Sequence, residues 1–154
     1  MEIGIISDTH GHVPNAVHDV FASVDHILHA GDVGPTDVIT ELETIAPVSA
    51  VLGNTDYAIQ LPQTQAKVFV GTKFLVHHIV DLPTPSQMVR KVIANEQPNV
   101  VVFGHTHMPC NEQHNGVLFL NPGSASNPRG DSAPSVVVVN CNEAVFNVKF
   151  VALT

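Results

Sequence analysis

Apolar and polar positions follow two textures along this chain. In the first third, short apolar runs (Ile3 to Ser7, Ile27 to Ala30, Val48 to Leu52) alternate with longer segments, Pro14 to Val24 and Pro35 to Ile45, that open on a proline and space their apolar residues as a helix does. The short runs predict buried strands, and the alternation with helices predicts parallel strands joined by right-handed crossovers. Beyond Asp56 the pattern changes. Lys67 to Val70 and Phe74 to His77 flank Gly71-Thr72 as a hairpin would, Pro85 to Glu96 reads as a helix, and Val100 to Phe103 as a strand. The last third, Val117 to Leu120, Ser135 to Asn140 and Ala144 to Val151, is strand after strand with Asn, Gly and Pro at the breaks. Two packed sheets flanked by helices are predicted.

At 154 residues, with 44% hydrophobic and 13% charged residues, the chain reads as one globular domain able to bury roughly two thirds of its unfolded surface. Its apolar runs fall far short of the roughly 20 residues of a membrane span, and Met1 leads straight into the first strand, so a soluble cytoplasmic protein is expected. Cys110 and Cys141 are too few and too far apart for a disulfide framework or a redox pair and read as free thiols. The net charge of −8 comes from 14 acids against 6 bases, and the bases never run longer than two. That composition excludes the electrostatic footprint of a protein that binds long nucleic acid. A small phosphate ester stays admissible where divalent cations offset the acids locally.

The candidate chemistry sits where the predicted strands end. Asp8 and His10 follow the first strand, Gly31-Asp32 the second, Gly53-Asn54-Thr55-Asp56 the third and Gly104-His105-Thr106-His107 the run Val100 to Phe103, while His77-His78 closes the hairpin. Each motif alone is weak, since Gly-Asp is a common turn pair. Together they form a ligand set. A carboxylate can bridge two cations, and imidazoles with an amide oxygen complete the shells without overcharging them, so Asp8, His10, Asp32, Asn54, His105 and His107 with a seventh group at His77 suit two divalent ions. Ligands spread from residue 8 to residue 107, none of them cysteine, point to an open catalytic site on loop tips and not to closed structural zinc. Neighbours on a strand face opposite ways, so only one of His77 and His78 can enter the site, and spacing leaves the choice open.

Not all ten histidines can be ligands. His18, His26 and His114 read as structural surface, turn or loop residues, and His29 as a hydrogen-bonded residue behind the site. His12, two residues past His10, is either solvent-facing or placed over the substrate. The segment Asn121 to Arg129 reads as a loop of ordinary turn residues.

Taken in order, Asp8-x-His10, Gly31-Asp32, Gly53-Asn54-x-Asp56, His77 and Gly104-His105-x-His107 resemble the motifs of the calcineurin-like metallophosphoesterase superfamily. Asn121-Pro-Gly-Ser124 resembles a segment of its small single-domain microbial phosphodiesterase branch. The resemblance spans most of the chain and implies an α/β fold, a four-layered αββα sandwich of two mixed sheets flanked by helices, with the site at the carboxyl edge of the central strands. It implies that Asp8, His10, Asp32 and His107 hold one ion and Asp32, Asn54, His77 and His105 the other, with Asp32 as the bridge. The ions it implies are divalent transition metals, Mn²⁺ first, with Fe, Zn²⁺, Ni²⁺ or Co²⁺ as the alternatives. Two departures stand out: Thr55 occupies the place where larger members of the superfamily carry a histidine, and the usual His-Gly-His is here His77-His78-Ile79.

The expected reaction is hydrolysis of a phosphodiester by a metal-bridging hydroxide. Asp32, Asn54, His12 and Asp56 are the candidate catalytic residues. Asn54 would hold an ion and orient the phosphoryl group, Asp56 would orient its neighbours, and His12 would replace the acid missing at Thr55. The alternatives are a phosphomonoesterase or nucleotide phosphatase, or a non-catalytic metal-binding scaffold of the same fold. A small phosphate ester is the expected substrate, with no long nucleic acid and no membrane as partner, and family habit implies a homodimer or homotetramer.

Overall fold

The computed structural model describes residues 1–154. Ten strands and three helices follow in the order β1 (Glu2–Ile6), α1 (Asn15–Val20), β2 (His26–His29), α2 (Asp37–Glu43), β3 (Val48–Ala50), β4 (Thr64–Phe69), β5 (Thr72–His77), α3 (Gln87–Glu96), β6 (Val100–Val102), β7 (Pro109–His114), β8 (Val117–Pro122), β9 (Ser135–Cys141) and β10 (Phe146–Ala152). They form two five-stranded sheets, ordered β10-β9-β1-β2-β3 and β4-β5-β6-β8-β7. In the first, β1, β2 and β3 run parallel while β9 and β10 extend the sheet antiparallel. In the second, β5, β6 and β8 are parallel between the antiparallel edge strands β4 and β7. Both sheets are mixed, as expected.

Strand parity decides the layers, because successive side chains point to opposite faces. On β1, Ile3 and Ile5 pack against Phe74, Val76, Val100 and Val102 of the other sheet, whereas Ile6 joins Val17 and Phe21 of the α1 region and Val38 and Leu42 of α2. On β6, Val100 and Val102 face the inner layer, while Val101 lies with Leu75, Val89 and Phe119 beneath α3. The result is helix, sheet, sheet, helix.

Local details depart from the sequence pattern for physical reasons. The first helix stops at Val20 because Phe21 to Ser23 turn the chain so that Asp25 can lock onto β1: its N–H donates to Glu2 O at 2.7 Å and its carboxylate accepts from Glu2 N at 2.7 Å. Strand β7 (Pro-Cys-Asn-Glu-Gln-His) has no apolar alternation and was not expected. It exists because an edge strand needs only a partner for its backbone, here β8. The last helix is the best signalled, with Ser86 Oγ accepting the Val89 N–H at 3.2 Å and Gln97 closing it in the left-handed region.

Both cysteines are free, and burial with Glu112 nearby pushes the Cys110 thiol up to about 11. No helix is long and apolar enough to cross a membrane.

Gly4 marks where β1 meets α1. A Cβ there would stand 2.9 Å from Cζ of the fully buried Phe21 ring. Gly4→Ala is therefore expected to cost about 1–3 kcal/mol by overpacking, measured by urea unfolding, and Phe21→Leu in the same chain should recover part of that loss. An unchanged midpoint for Gly4→Ala would refute the packing described.

Candidate metal centre

The groups singled out in the sequence lie on loops that leave the carboxyl ends of five parallel strands: β1, β2 and β3 of one sheet, β5 and β6 of the other. Their backbones are unusual. Asp8, His10, Asp32, His105 and His107 all have left-handed φ angles, at 53°, 46°, 52°, 72° and 60°. For residues with a Cβ each such conformation costs on the order of 1 kcal/mol, and it survives only where the surroundings impose it. Two glycines allow the loops to come this close. A Cβ on Gly53 would collide with Asp32, and one on Gly104 with Ser7 and Asp8.

Asp8 is fully buried. Its Oδ2 accepts from Ser7 Oγ at 2.6 Å and from His105 N at 3.1 Å, while its Oδ1 has no hydrogen-bond partner. That oxygen lies 3.2 Å from His107 Nε2 and 3.9 Å from Nε2 of both His10 and His78. Asp32 repeats the arrangement. Its Oδ1 accepts the Thr55 N–H at 2.9 Å, and its Oδ2 stands 3.3 Å from His78 Nε2 and 3.7 Å from His10 Nε2. Burial pushes the Asp32 carboxyl up, but the Thr55 hydrogen bond and the imidazoles of His78 and His10 outweigh it and hold the group below its ordinary value.

The imidazoles are oriented from behind. His107 Nδ1 lies 2.5 Å from Asn127 O and His78 Nδ1 2.7 Å from Ala30 O. A carbonyl can only accept, so each Nδ1 carries the proton and, in the neutral ring, each Nε2 presents a lone pair. Those lone pairs face carboxylate oxygens, and His107 Nε2 also faces His10 Nε2 at 3.2 Å. Lone pairs aimed at one another across a buried space suit a cation between them. Ligand atoms of Asp8, His10, Asp32 and His107 all lie within 4.8 Å of one another. Beside them, Asn54 Oδ1 is 3.0 Å from both His78 Nε2 and His105 Nδ1. The donor set fits divalent transition metals.

One expectation is corrected. His77, placed in the site by resemblance, points away from the cluster, with Nδ1 2.7 Å from Thr64 Oγ1 on the neighbouring β4. It is His78 whose Nε2 lies beside Asn54 Oδ1 at 3.0 Å and Asp32 Oδ2 at 3.3 Å. The reason is parity: Phe74 and Val76 face the inner layer and Leu75 the outer one, so the next inward position is 78.

Asp56 does not join the ligand cluster. Its carboxylate accepts three backbone N–H groups, from Val33 at 3.0 Å, Gly34 at 3.0 Å and Gly53 at 2.9 Å, and so clamps the loop after β2 to the loop after β3. His12 is exposed and its ring makes no hydrogen bond. His18, His26 and His114 pair with Glu41, Ser49 and Glu112 away from the cluster, His26 on β2 and not in a turn.

The segment read as a loop of ordinary turn residues proves to be the main brace, and its first two residues, Asn121 and Pro122, belong to β8 and not to the loop. Asn121 Nδ2 donates to Gly104 O at 3.0 Å and to Thr106 Oγ1 at 3.1 Å. Ser124 Oγ donates to Asp8 O at 2.8 Å, Ser126 Oγ to Thr9 O at 2.7 Å, and Asn127 supplies the carbonyl that fixes His107. Asn121 and Ser124 are fully buried, which no local pattern announces.

The chain falls in a known class, that of metal-dependent phosphoesterases. The family model described as the calcineurin-like phosphoesterase superfamily domain matches residues 1–144. A probable metallophosphoesterase of Methanothermobacter thermautotrophicus is 40% identical over 90% of this chain and 85% of its own length. Phosphodiesterase YfcE of Escherichia coli is 30% identical over 88% of this chain and 85% of its own. Among solved structures, a predicted phosphoesterase from Streptococcus pneumoniae superposes with a TM-score of 0.79 at 27% identity, covering 99% of this chain and 89% of the other. The protein belongs to the calcineurin-like phosphoesterase superfamily.

His29 ties the loops together from below. It is fully buried, its Nδ1 accepts from Gly31 N at 3.2 Å, and its Nε2–H therefore donates to Thr9 Oγ1 at 2.9 Å, whose own O–H donates to Val33 O at 2.8 Å. Burial lowers its pKa from 6.5 to about 3. Because the unfolded chain binds this proton first, the stability His29 contributes is complete above pH 6.5 and is lost as pH falls toward 3. Between pH 6.5 and pH 5 the loss from this group is about 2 kcal/mol. Chemical denaturation of metal-free protein at both pH values should show it, and His29→Gln should remove that part of the pH dependence. An identical pH dependence in the variant would refute the assignment.

Proposed function

We propose that the protein is a dinuclear metal-dependent phosphodiesterase acting on a small phosphate ester. The observation that carries this reading is the pair of inward carboxylate oxygens, Asp8 Oδ1 and Asp32 Oδ2, each opposed by imidazole nitrogens whose orientation a backbone carbonyl or a neighbouring ligand sets. Asp8, His10, Asp32 and His107 would hold one ion, and Asp32, Asn54, His78 and His105 the other, with Asp32 shared. Two such ions would supply Lewis-acid charge to phosphoryl oxygens and a hydroxide nucleophile near neutral pH. Mn²⁺ is the expected occupant, and the N and O donors also accept Fe, Zn²⁺, Ni²⁺ or Co²⁺.

The residues divide the remaining work. Asn54 is exposed at the mouth with its carbonyl turned to His78 and His105, which leaves its amide N–H₂ to donate to a phosphoryl oxygen. Thr55 gives its N–H to Asp32 and offers no acid for the departing oxygen, so diesters with activated aryl or nucleotide leaving groups are favoured. His12, exposed two residues beyond His10, is the side chain left to serve as that acid. The phosphodiesterase name carried by the Escherichia coli relative agrees with diester chemistry.

Chelator-stripped protein should regain hydrolysis of bis-p-nitrophenyl phosphate on addition of Mn²⁺, and Asp32→Asn should reduce it by about 100-fold or more. Metal binding by calorimetry should lose one equivalent in His78→Ala and none in His77→Ala. Failure of every divalent metal to restore turnover, or the reverse order of the two histidine variants, would refute the proposal. His12→Ala should slow poorly activated alkyl esters more than nitrophenyl esters, and equal slowing of both would remove it from the acid role.

A further inference from the structure

A cleft of about 440 Å³ opens directly from the site, beginning at Asn54 and His78 and running between the β5–α3 connection and the start of α3. Its apolar surface comes from Leu52, Ile79, Met88 and Val89, and its polar groups include Ser86 and Asp81. The size is in the range of small-ligand clefts, and the wall it shares with the site consists of two of the residues that would surround a bound phosphoryl group. A substituent on that phosphoryl group therefore lies next to the cleft.

The charged carboxylates that line the cleft are Asp56 and Asp81. No Lys or Arg lines it. The Asp81 carboxylate is exposed and has neither a hydrogen bond nor an ion pair, whereas the other acid, Asp56, is committed to three backbone N–H groups. Asp81 also borders a second cleft of about 540 Å³ on the far side of Leu82-Pro83, which likewise has no Lys or Arg and adds Glu112. Ser86 Oγ accepts the Val89 N–H, so its own proton is free to donate to an oxygen on a bound group. Beyond the phosphoryl site, an arm bearing a second phosphate or a carboxylate would meet the unpaired Asp81 carboxylate, with no Lys or Arg in the cleft lining to answer it.

Building on the phosphodiesterase reading, we infer that this cleft is the subsite for one alcohol arm of the diester, and that the arm is an apolar group, uncharged or cationic, recognised in part by Asp81. The enzyme selects against diesters whose arm carries further negative charge.

The experiment compares p-nitrophenyl phosphodiesters that share the departing group and differ in the second alcohol: choline, its uncharged isostere 3,3-dimethylbutanol, and 4-hydroxybutanoate, which is anionic. The expected result is a kcat/KM for the first two about tenfold or more above the third, with Asp81→Lys lowering the choline ester and raising the anionic one. A second readout does not depend on turnover. The chain has no tryptophan, so Met88→Trp places a single one in the cleft wall. With Zn²⁺ present, its emission should change saturably with choline phosphate and 3,3-dimethylbutyl phosphate and not with inorganic phosphate. Equal rates for all three arms, unaltered by Asp81→Lys, together with the same emission response to inorganic phosphate as to the esters, would overturn the inference while leaving the phosphodiesterase reading intact. Absence of turnover on every diester would instead sink that reading, and the fluorescence titration alone would then decide the cleft.

Discussion

Two carboxylates are buried at the meeting edge of the sheets, each with one oxygen tied to the backbone and the other left facing imidazole lone pairs. Asp8 Oδ1 has no hydrogen at all, and Asp32 Oδ2 has only the rings of His78 and His10. A buried charge without a partner costs several kcal/mol, so the fold must hold this arrangement by force from elsewhere. Five left-handed backbones at non-glycine residues add to that cost. The bracing found around the site is the compensation.

That bracing is layered. Asp56 joins the loop after β2 to the loop after β3 through three N–H groups, and His29 joins the loop after β1 to the same region through Thr9. The Asn121 to Asn127 segment then binds the Asp8 and His105–His107 loops to each other, reaching Asp8 O, Thr9 O, Gly104 O and the His107 ring. Most of these bonds end on backbone atoms, which fixes loop conformation and leaves the clustered side chains uncommitted.

The site also depends on the inner layer of the sandwich. Asp8, His10, Asp32 and Asn54 come from loops of one sheet, while His78, His105 and His107 come from loops of the other. They meet only because Ile3, Ile5 and Leu28 pack against Phe74, Val76 and Val102 at the correct offset. A core substitution that shifts one sheet against the other would separate the two halves of this cluster before it unfolded the chain. At the mouth, the same edge leaves Asn54 exposed and opens the cleft beside Asp81, so chemistry and selectivity share one boundary.

Much of this was legible in the residues alone. Apolar runs and helical spacing located all three helices and every strand except β7, and turns after strands marked six of the seven polar groups that cluster in space. Those features are local: strand and helix periods are written in consecutive residues, and a Gly-Asp or Gly-Asn turn follows its own strand wherever that strand packs. Three matters were decided by tertiary structure. The choice between His77 and His78 follows from which face of β5 meets the other sheet; β7 follows from a partner strand and not from its own polar sequence; and the role of Asn121 to Asn127 follows from polar side chains buried against loops more than a hundred residues away in the chain. Each is set by contacts between distant segments, and pairing across a sheet or between sheets leaves no trace in the order of neighbouring residues.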